Sequence, residues 1–182
     1  MNPGRPAGTT PERSRADLAP EQVEIRSARE EEFADIGALT AGVYVGEGHV
    51  HAESTYVAEL LDTATRVRSA LVLVASRAGA VLGSVTIARP GTPFADIARP
   101  GELEFRMLAV DPQARGGGIG AALVRAVIDT ARAEGFDAVV LTTMPGMADA
   151  RRMYDRIGFA HVPERDWATD SGLQLTVMRL AL

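Results

Sequence analysis

Residues 111–120 read DPQARGGGIG, with four glycines in the last five positions. Before them stands ELEFRMLAV at 102–110, whose residues alternate as in a strand. After them, Ile119, Ala122, Leu123, Ala126 and Val127 share one helical face, with Arg125, Asp129 and Arg132 elsewhere. Gly135 then stands where a left-handed residue closes such a helix. Glycine has no Cβ to hold off an anion or to penalise the positive φ that turns amides inward. The first N–H groups of a helix lack intrahelical partners and carry the positive end of its dipole. Strand, glycine loop and helix together predict a backbone site for phosphate. A solvent-exposed turn is the plainer reading of a glycine cluster, so the flanking residues must decide.

Three phosphate-binding templates can be laid over the loop. A Walker loop needs Gly-Lys-Ser/Thr after its first glycine, and no lysine is near. The dinucleotide pattern G-x-G-x-x-G/A fits Gly116, Gly118 and Ala121, but DPQAR separates the strand from the first glycine. The following strand ends in Leu141, Thr142 and Thr143, with no acid for a ribose hydroxyl. The third template, R-x-x-G-x-G, is matched by Arg115, Gly118 and Gly120.

Outward from the loop, the remaining elements alternate in type. VEIRSA reads as a strand; Phe33, Ile36, Leu39, Thr40 and Val43 mark one helix, and Tyr56, Val57, Leu60, Leu61, Ala64 and Val67 a second. ALVLVAS and VLGSVTI read as strands about a short turn, and RPGTPFADIARPG as a loop. DAVVLTT is a strand, MADARRMYDRI a helix closed by Gly158, and LQLTVMRL a last strand. The sum is an α/β domain with a mixed sheet. One domain over residues 22–182 suits a chain of 182 residues with 46% hydrophobic content. Residues 1–21, rich in Pro, Gly, Ser, Thr and charge, are expected to be a flexible tail.

Composition excludes several classes. With no cysteine there is neither a disulfide, nor a Cys-based zinc site, nor a sulfur nucleophile, and the chain fits a reducing cytoplasm. No secretory leader or apolar run of membrane-spanning length is visible, so a cytoplasmic protein without a membrane partner is expected. A formal net charge of -5 and the lack of a basic stripe argue against nucleic acid and tolerate a cationic substrate.

The string MLAVDPQARGGGIGAALVRAVIDTARAEGF resembles the acyl-CoA motif of the GNAT acyl-coenzyme A N-acyltransferases. ARRMYDRIGF, some thirty residues later, resembles that family's second signature, A-x-x-x-Y-x-x-x-G-F. The resemblance follows the element order from Val23 to Leu182 and is sharp from Glu102 to Phe159. It implies a mixed, mostly antiparallel sheet flanked by helices, with a splayed central strand pair. It also implies acetyl-CoA as co-substrate, its pyrophosphate held by backbone amides of Arg115, Gly116, Gly117, Gly118, Ile119 and Gly120. A β-bulge would free the edge of Met107 to Val110 for pantetheine, with Leu108, Ala109 and Val110 as contributors. Plain core packing is the alternative for these side chains.

An alkyl amine arrives protonated at neutral pH and must lose a proton before it attacks a thioester. Glu102 and Glu104 lie two apart on a strand and so share a face with Arg106, while Leu103, Phe105 and Met107 take the other. Glu102 resembles in position the catalytic glutamate of some family members and is the first choice of base, directly or through water. Either carboxylate can instead be a rim charge paired with Arg106. Tyr154 matches the family's tyrosine, which implies a proton donor to the departing thiolate; its ring can also pack on the sheet beside Ala150 and Ile157. Without cysteine, direct attack in a ternary complex is expected. Met147 stands seven residues before Tyr154, where many members carry Asn, so that CoA-side hydrogen bond is either missing or supplied elsewhere, for instance by Thr142 or Thr143.

The amine pocket is expected from the first two helices, their connection and the last strands, with Tyr44, Arg106 and Trp167 as substrate contacts. His49 and His51 form an H-x-H pair without a well-spaced third ligand, so no metal is expected and a loop contacting substrate or solvent is preferred. Arg165, Asp166 and Trp167 fall in PERDWATDSG, which can recognise an amine or a carboxylate, cap the core or form a homodimer contact. The expected partner is a small-molecule or peptide amine. Two other classes remain: a non-catalytic acyl-CoA sensor of the same fold, and an NAD or nucleotide module disfavoured by the loop offset.

Overall fold

The computed structural model describes residues 22–169 and 172–182. The tail expected at residues 1–21 lies outside the described residues. The chain opens with β1 (Glu24–Ser27), α1 (Phe33–Gly46), α2 (Tyr56–Leu61) and α3 (Thr63–Ser69). Then come β2 (Leu71–Arg77), β3 (Ala80–Ala88), β4 (Glu102–Val110), α4 (Ile119–Ala133) and β5 (Ala138–Thr143). It closes with α5 (Ala148–Ile157), the short β6 (Ala160–His161) and β7 (Trp167–Ala168), and β8 (Gln174–Ala181). Among the described residues no helix is long and apolar enough to cross a membrane.

The second expected helix is broken in two. Asp62 leaves helical geometry (φ -83°, ψ 72°), and its carboxylate accepts the Thr65 N–H at 2.8 Å, so an acid inside the apolar pattern caps a new helix. The end of α2 lies directly on α1: a Cβ at Gly37 would stand 2.3 Å from the Leu61 carbonyl oxygen. The PERDW segment, expected as plain loop, contains the two-residue β7, which pairs with β8 through Trp167 and Leu175. Strands this short carry too little alternation to be read from sequence.

The sheet runs β1-β2-β3-β4-β5-β8-β6, with β7 against β8. Among the described residues only β4 and β5 pair in parallel, through Glu102, Leu103 and Glu104 opposite Ala138, Val139 and Val140. Beyond Glu104 the two strands part. The cause lies on the other edge of β4, where Ser84 faces Ala109 but Thr86 faces Arg106. One extra residue is therefore present in β4, and Met107 absorbs it at φ 54°, a conformation few non-glycine residues adopt. The splayed central pair implied by the resemblance is present.

The bulge also corrects the expected face pattern. Leu103 and Phe105 bury against α4 and α5, together with Leu123, Val127, Leu141 and Phe159. Met107 and Ala109, which simple alternation places on that same face, bury on the opposite side with Tyr44, Leu60, Ala88 and Phe94. An inserted residue in a period-two element moves everything after it to the other face. The helices cover both faces, and the split opens between them.

Candidate active site

The open end between β4 and β5 leads into two adjoining cavities. A smaller one, about 580 Å³, reaches the start of α4 and is lined by Leu108, Val110, Arg115, Gly116, Gly118 and Tyr154, among others. A larger one, about 1000 Å³, lies toward α2 and β7 and is lined in part by Tyr56, Glu59, Phe94, Asp96, Glu104 and Trp167. Tyr44, His49, Arg106, Met107, Thr142 and Met147 line both. The cavities thus meet at the bulge. The larger is lined by three carboxylates and one arginine, which suits a cationic guest.

The glycine loop is built to present amides. The Asp111 carboxylate accepts the Gln113 N–H at 2.8 Å and holds a turn at Pro112–Ala114. Gly116 and Gly118 then take φ 82° and 77°, and no atom lies within 4 Å of a Cβ built on either, so backbone conformation rather than crowding calls for glycine. The first intrahelical bond runs from the Ala122 N–H to the Gly118 carbonyl at 2.9 Å. No N–H from Arg115 to Ala121 donates to a protein acceptor among the described residues. The Arg115 guanidinium pairs with Glu47, which lines the same cavity, and donates to the Val110 carbonyl at 3.3 Å. Ile119 and Gly120 line the smaller cavity as well; Gly117 and Ala109 line neither, Ala109 being buried against α1.

The two glutamates have different surroundings. Glu102 lines neither cavity: Arg165 holds both its carboxylate oxygens at 3.0 and 2.9 Å, Arg179 one of them at 3.0 Å, and the Arg99 N–H donates at 3.1 Å. Burial works to raise its pKa, but the donors of Arg165, Arg99 and Arg179 prevail and hold it below the usual carboxylate value. Glu104 faces the larger cavity. Its Oε2 accepts the N–H groups of Ile97 at 2.8 Å and Ala98 at 3.0 Å, and burial pushes its pKa up against those bonds. Of the two glutamates singled out from sequence spacing, Glu104 lines the larger cavity and Glu102, the first choice there, lines neither of the two. Arg106, expected opposite either glutamate, pairs instead with Asp96 at 2.7 Å and Glu59 at 3.6 Å, and donates to the Tyr56 hydroxyl at 3.0 Å.

Tyr154 packs its ring edge-on to Phe105 and Phe159, each centroid 5.8 Å away. Its hydroxyl makes no hydrogen bond among the described residues, and burial raises its pKa, so it stays protonated. Thr142 Oγ1 and Trp167 Nε1 are buried without a partner among the described residues, and both residues line the larger cavity. Thr143 instead donates to the Met144 carbonyl at 3.4 Å and lies in the interior. Trp167 is set in place by its neighbours: Arg165 is tied to Glu102, and Asp166 accepts the Val177 N–H at 2.9 Å. His49 pairs with Glu47 at 3.1 Å, and His51 lines the larger cavity.

Glu59, Asp96 and Phe94 did not emerge from sequence spacing. Nothing local marks them, because each reaches the site only through the packing of α2 and the β3–β4 loop over β4.

A mixed sheet split at a bulge, with a helix N-terminus opening into the split, defines a bipartite transferase cleft. The chain belongs to the acetyltransferase (GNAT) family, whose model matches residues 28–159. It is 28% identical to a GCN5-related N-acetyltransferase from Kribbella flavida, covering 90% of this chain and 100% of that one with a TM-score of 0.65. It shares the fold of a GNAT family acetyltransferase from Brucella melitensis, solved in complex with acetyl-CoA, at 24% identity, 89% coverage of each chain and a TM-score of 0.60. A stretch of 71 residues, 39% of this chain, is 38% identical to the N-acetylaspartate synthetase of Danio rerio and spans a quarter, 25%, of that protein's length.

Proposed function

We propose that the protein transfers the acetyl group of acetyl-CoA to a primary amine by direct attack in a ternary complex. The observation that carries this reading is the meeting of the two cavities at the Met107 bulge, one opening on free helix N-terminal amides and the other on Glu104. The amides from Arg115 to Ala121 offer a pyrophosphate the donors that the fold leaves unused. The N–H groups of Leu108 and Val110, on the edge of β4 away from β3, and the Thr142 hydroxyl, unpartnered among the described residues, can serve a pantetheine chain along that freed edge. Thr142 thereby supplies the polar contact that Met147 does not.

Glu104 accepts the proton of the incoming ammonium, directly or through a water in the larger cavity. Nitrogen then bonds to the thioester carbon while β4 amides stabilise the charge on its oxygen. As the C–S bond breaks, the Tyr154 hydroxyl protonates the sulfur, and the second proton lost by the nitrogen on forming the amide restores the tyrosine through solvent. Glu59, Asp96 and Glu104 favour an acceptor that arrives as a cation. Tyr44, Arg106 and Trp167 shape its pocket.

Thiol release from acetyl-CoA across a panel of amino acids, peptides, polyamines and aminoglycosides tests the reading, with no cysteine in the chain to add background. Release with one amine class is expected. Tyr154→Phe should then lower kcat by about a hundredfold with acetyl-CoA affinity nearly unchanged. Acetyl-CoA binding with no release for any amine would favour a non-catalytic sensor, and unchanged turnover in Tyr154→Phe would remove the tyrosine from the mechanism.

A further inference from the structure

Arg66, on α3, is the largest fully buried side chain, at 0% exposure. Its Nη2 donates to the Leu60 carbonyl at 3.0 Å and the Thr63 hydroxyl at 2.8 Å, and its Nη1 to the Thr86 hydroxyl at 3.2 Å. Its Nε has no partner. No carboxylate forms an ion pair with it among the described residues, although Arg26, Arg106 and Arg165 each have one. A buried guanidinium without a counter-charge is expensive, and an apolar side chain of the same volume generally suits a core as well or better. Packing therefore does not account for this residue.

Its position does. Nη1 stands 3.5 Å from the thioether sulfur of Met107, and the Thr86 hydroxyl, which it also holds, lies 4.0 Å from that sulfur. Met107 is the bulge residue, at φ 54°, and Thr86 sits opposite Arg106 at the point where the β3–β4 register slips. The unpaired cation thus lies one side chain behind the backbone that the two cavities share. In a dry interior a fixed positive charge acts over that distance with little screening.

Resting on the acetyl-transfer reading above, we infer that Arg66 is a positioning residue for the reaction: it pins the Met107 bulge from behind and sets a positive potential where the thioester oxygen gains negative charge. It acts through Met107 and touches no substrate. The expense of burying it is met by a transition state that is more negative at that point than the ground state.

The test compares Arg66→Met, which removes charge and donors, Arg66→Gln, which keeps donors, and Arg66→Lys, which keeps the charge. Melting temperature, acetyl-CoA Kd, kcat and the carbonyl stretch of bound [1-13C]acetyl-CoA by difference infrared spectroscopy are read for each. In Arg66→Met the melting temperature should fall somewhat, because the buried Leu60 carbonyl and the Thr63 and Thr86 hydroxyls lose their donor, but the protein should stay folded at assay temperature. Its Kd should stay within about threefold, its kcat should fall about tenfold or more, and its carbonyl stretch should move up from the wild-type frequency. Arg66→Lys should recover most of kcat and the wild-type frequency, and Arg66→Gln should not.

Unchanged kcat and frequency in Arg66→Met would overturn the inference. So would Arg66→Lys and Arg66→Gln behaving alike, a comparison that stands even if Arg66→Met fails to fold. Failure of the acetyl-transfer reading looks different, because the wild-type protein itself would then release no thiol with any amine, whether or not it bound acetyl-CoA.

Discussion

Glu102 and Glu104 are two residues apart on one strand, yet they have opposite chemistry. Glu102 is clamped by Arg165 and Arg179, and its carboxylate is held charged. Glu104 meets only neutral N–H donors and a cavity wall, so burial prevails and its pKa is raised. A raised carboxyl binds its proton at higher pH than a free glutamate would. In the proposed mechanism Glu104 is therefore lost as a base as pH falls through that raised value, and the acid limb of kcat/KM should lie above the ordinary glutamate pKa of about 4.3. Glu104→Gln should lower kcat/KM by about a hundredfold and abolish that limb. A limb that survives the substitution would assign the titration to another group. Which glutamate serves was not legible from spacing, because the deciding partners, Arg165 and the N–H groups of Ile97 and Ala98, come from distant loops.

At the scale of elements, α4 was the most legible part of the chain. Its apolar stripe, its glycine start and its Gly135 stop are all local features, and Ile119, Leu123 and Val127 are buried where the stripe predicts, with Val124 buried beside it. Gly118 takes φ 77° as the N-cap of that helix, with open space around it. Gly118→Val should therefore meet no steric block in the free protein but should disfavour that backbone by about 1–2 kcal/mol and obstruct an anion at the amides. Acetyl-CoA affinity is expected to fall about tenfold or more, well beyond the change in melting temperature. Retained affinity, measured by calorimetry, would move the pyrophosphate elsewhere. β4 was legible only in part. The alternation of ELEFRMLAV placed its first half correctly, but the extra residue at Met107 turned the second half over. No local signal announces that bulge, since methionine is an unusual occupant of positive φ.

For the molecule as a whole, the two cavities assign two ligands to one cleft. Acetyl-CoA at a hundredfold its Kd should stabilise the folded protein by about 2.7 kcal/mol, and NAD should not. A thermal scan with each ligand distinguishes them, and stabilisation by NAD in place of acetyl-CoA would restore the dinucleotide reading. The division of labour between chain and fold follows from range. The phosphate-cradling loop, its helix, the tyrosine signature and the alternation of elements are short-period patterns, and the sequence alone determined them. The change of face after Met107, the different surroundings of Glu102 and Glu104, the acidic wall of Glu59 and Asp96, and the burial of Arg66 behind Met107 were decided by tertiary structure. Each depends on which distant segment packs against β4, and burial and charge pairing exist only once those segments have met.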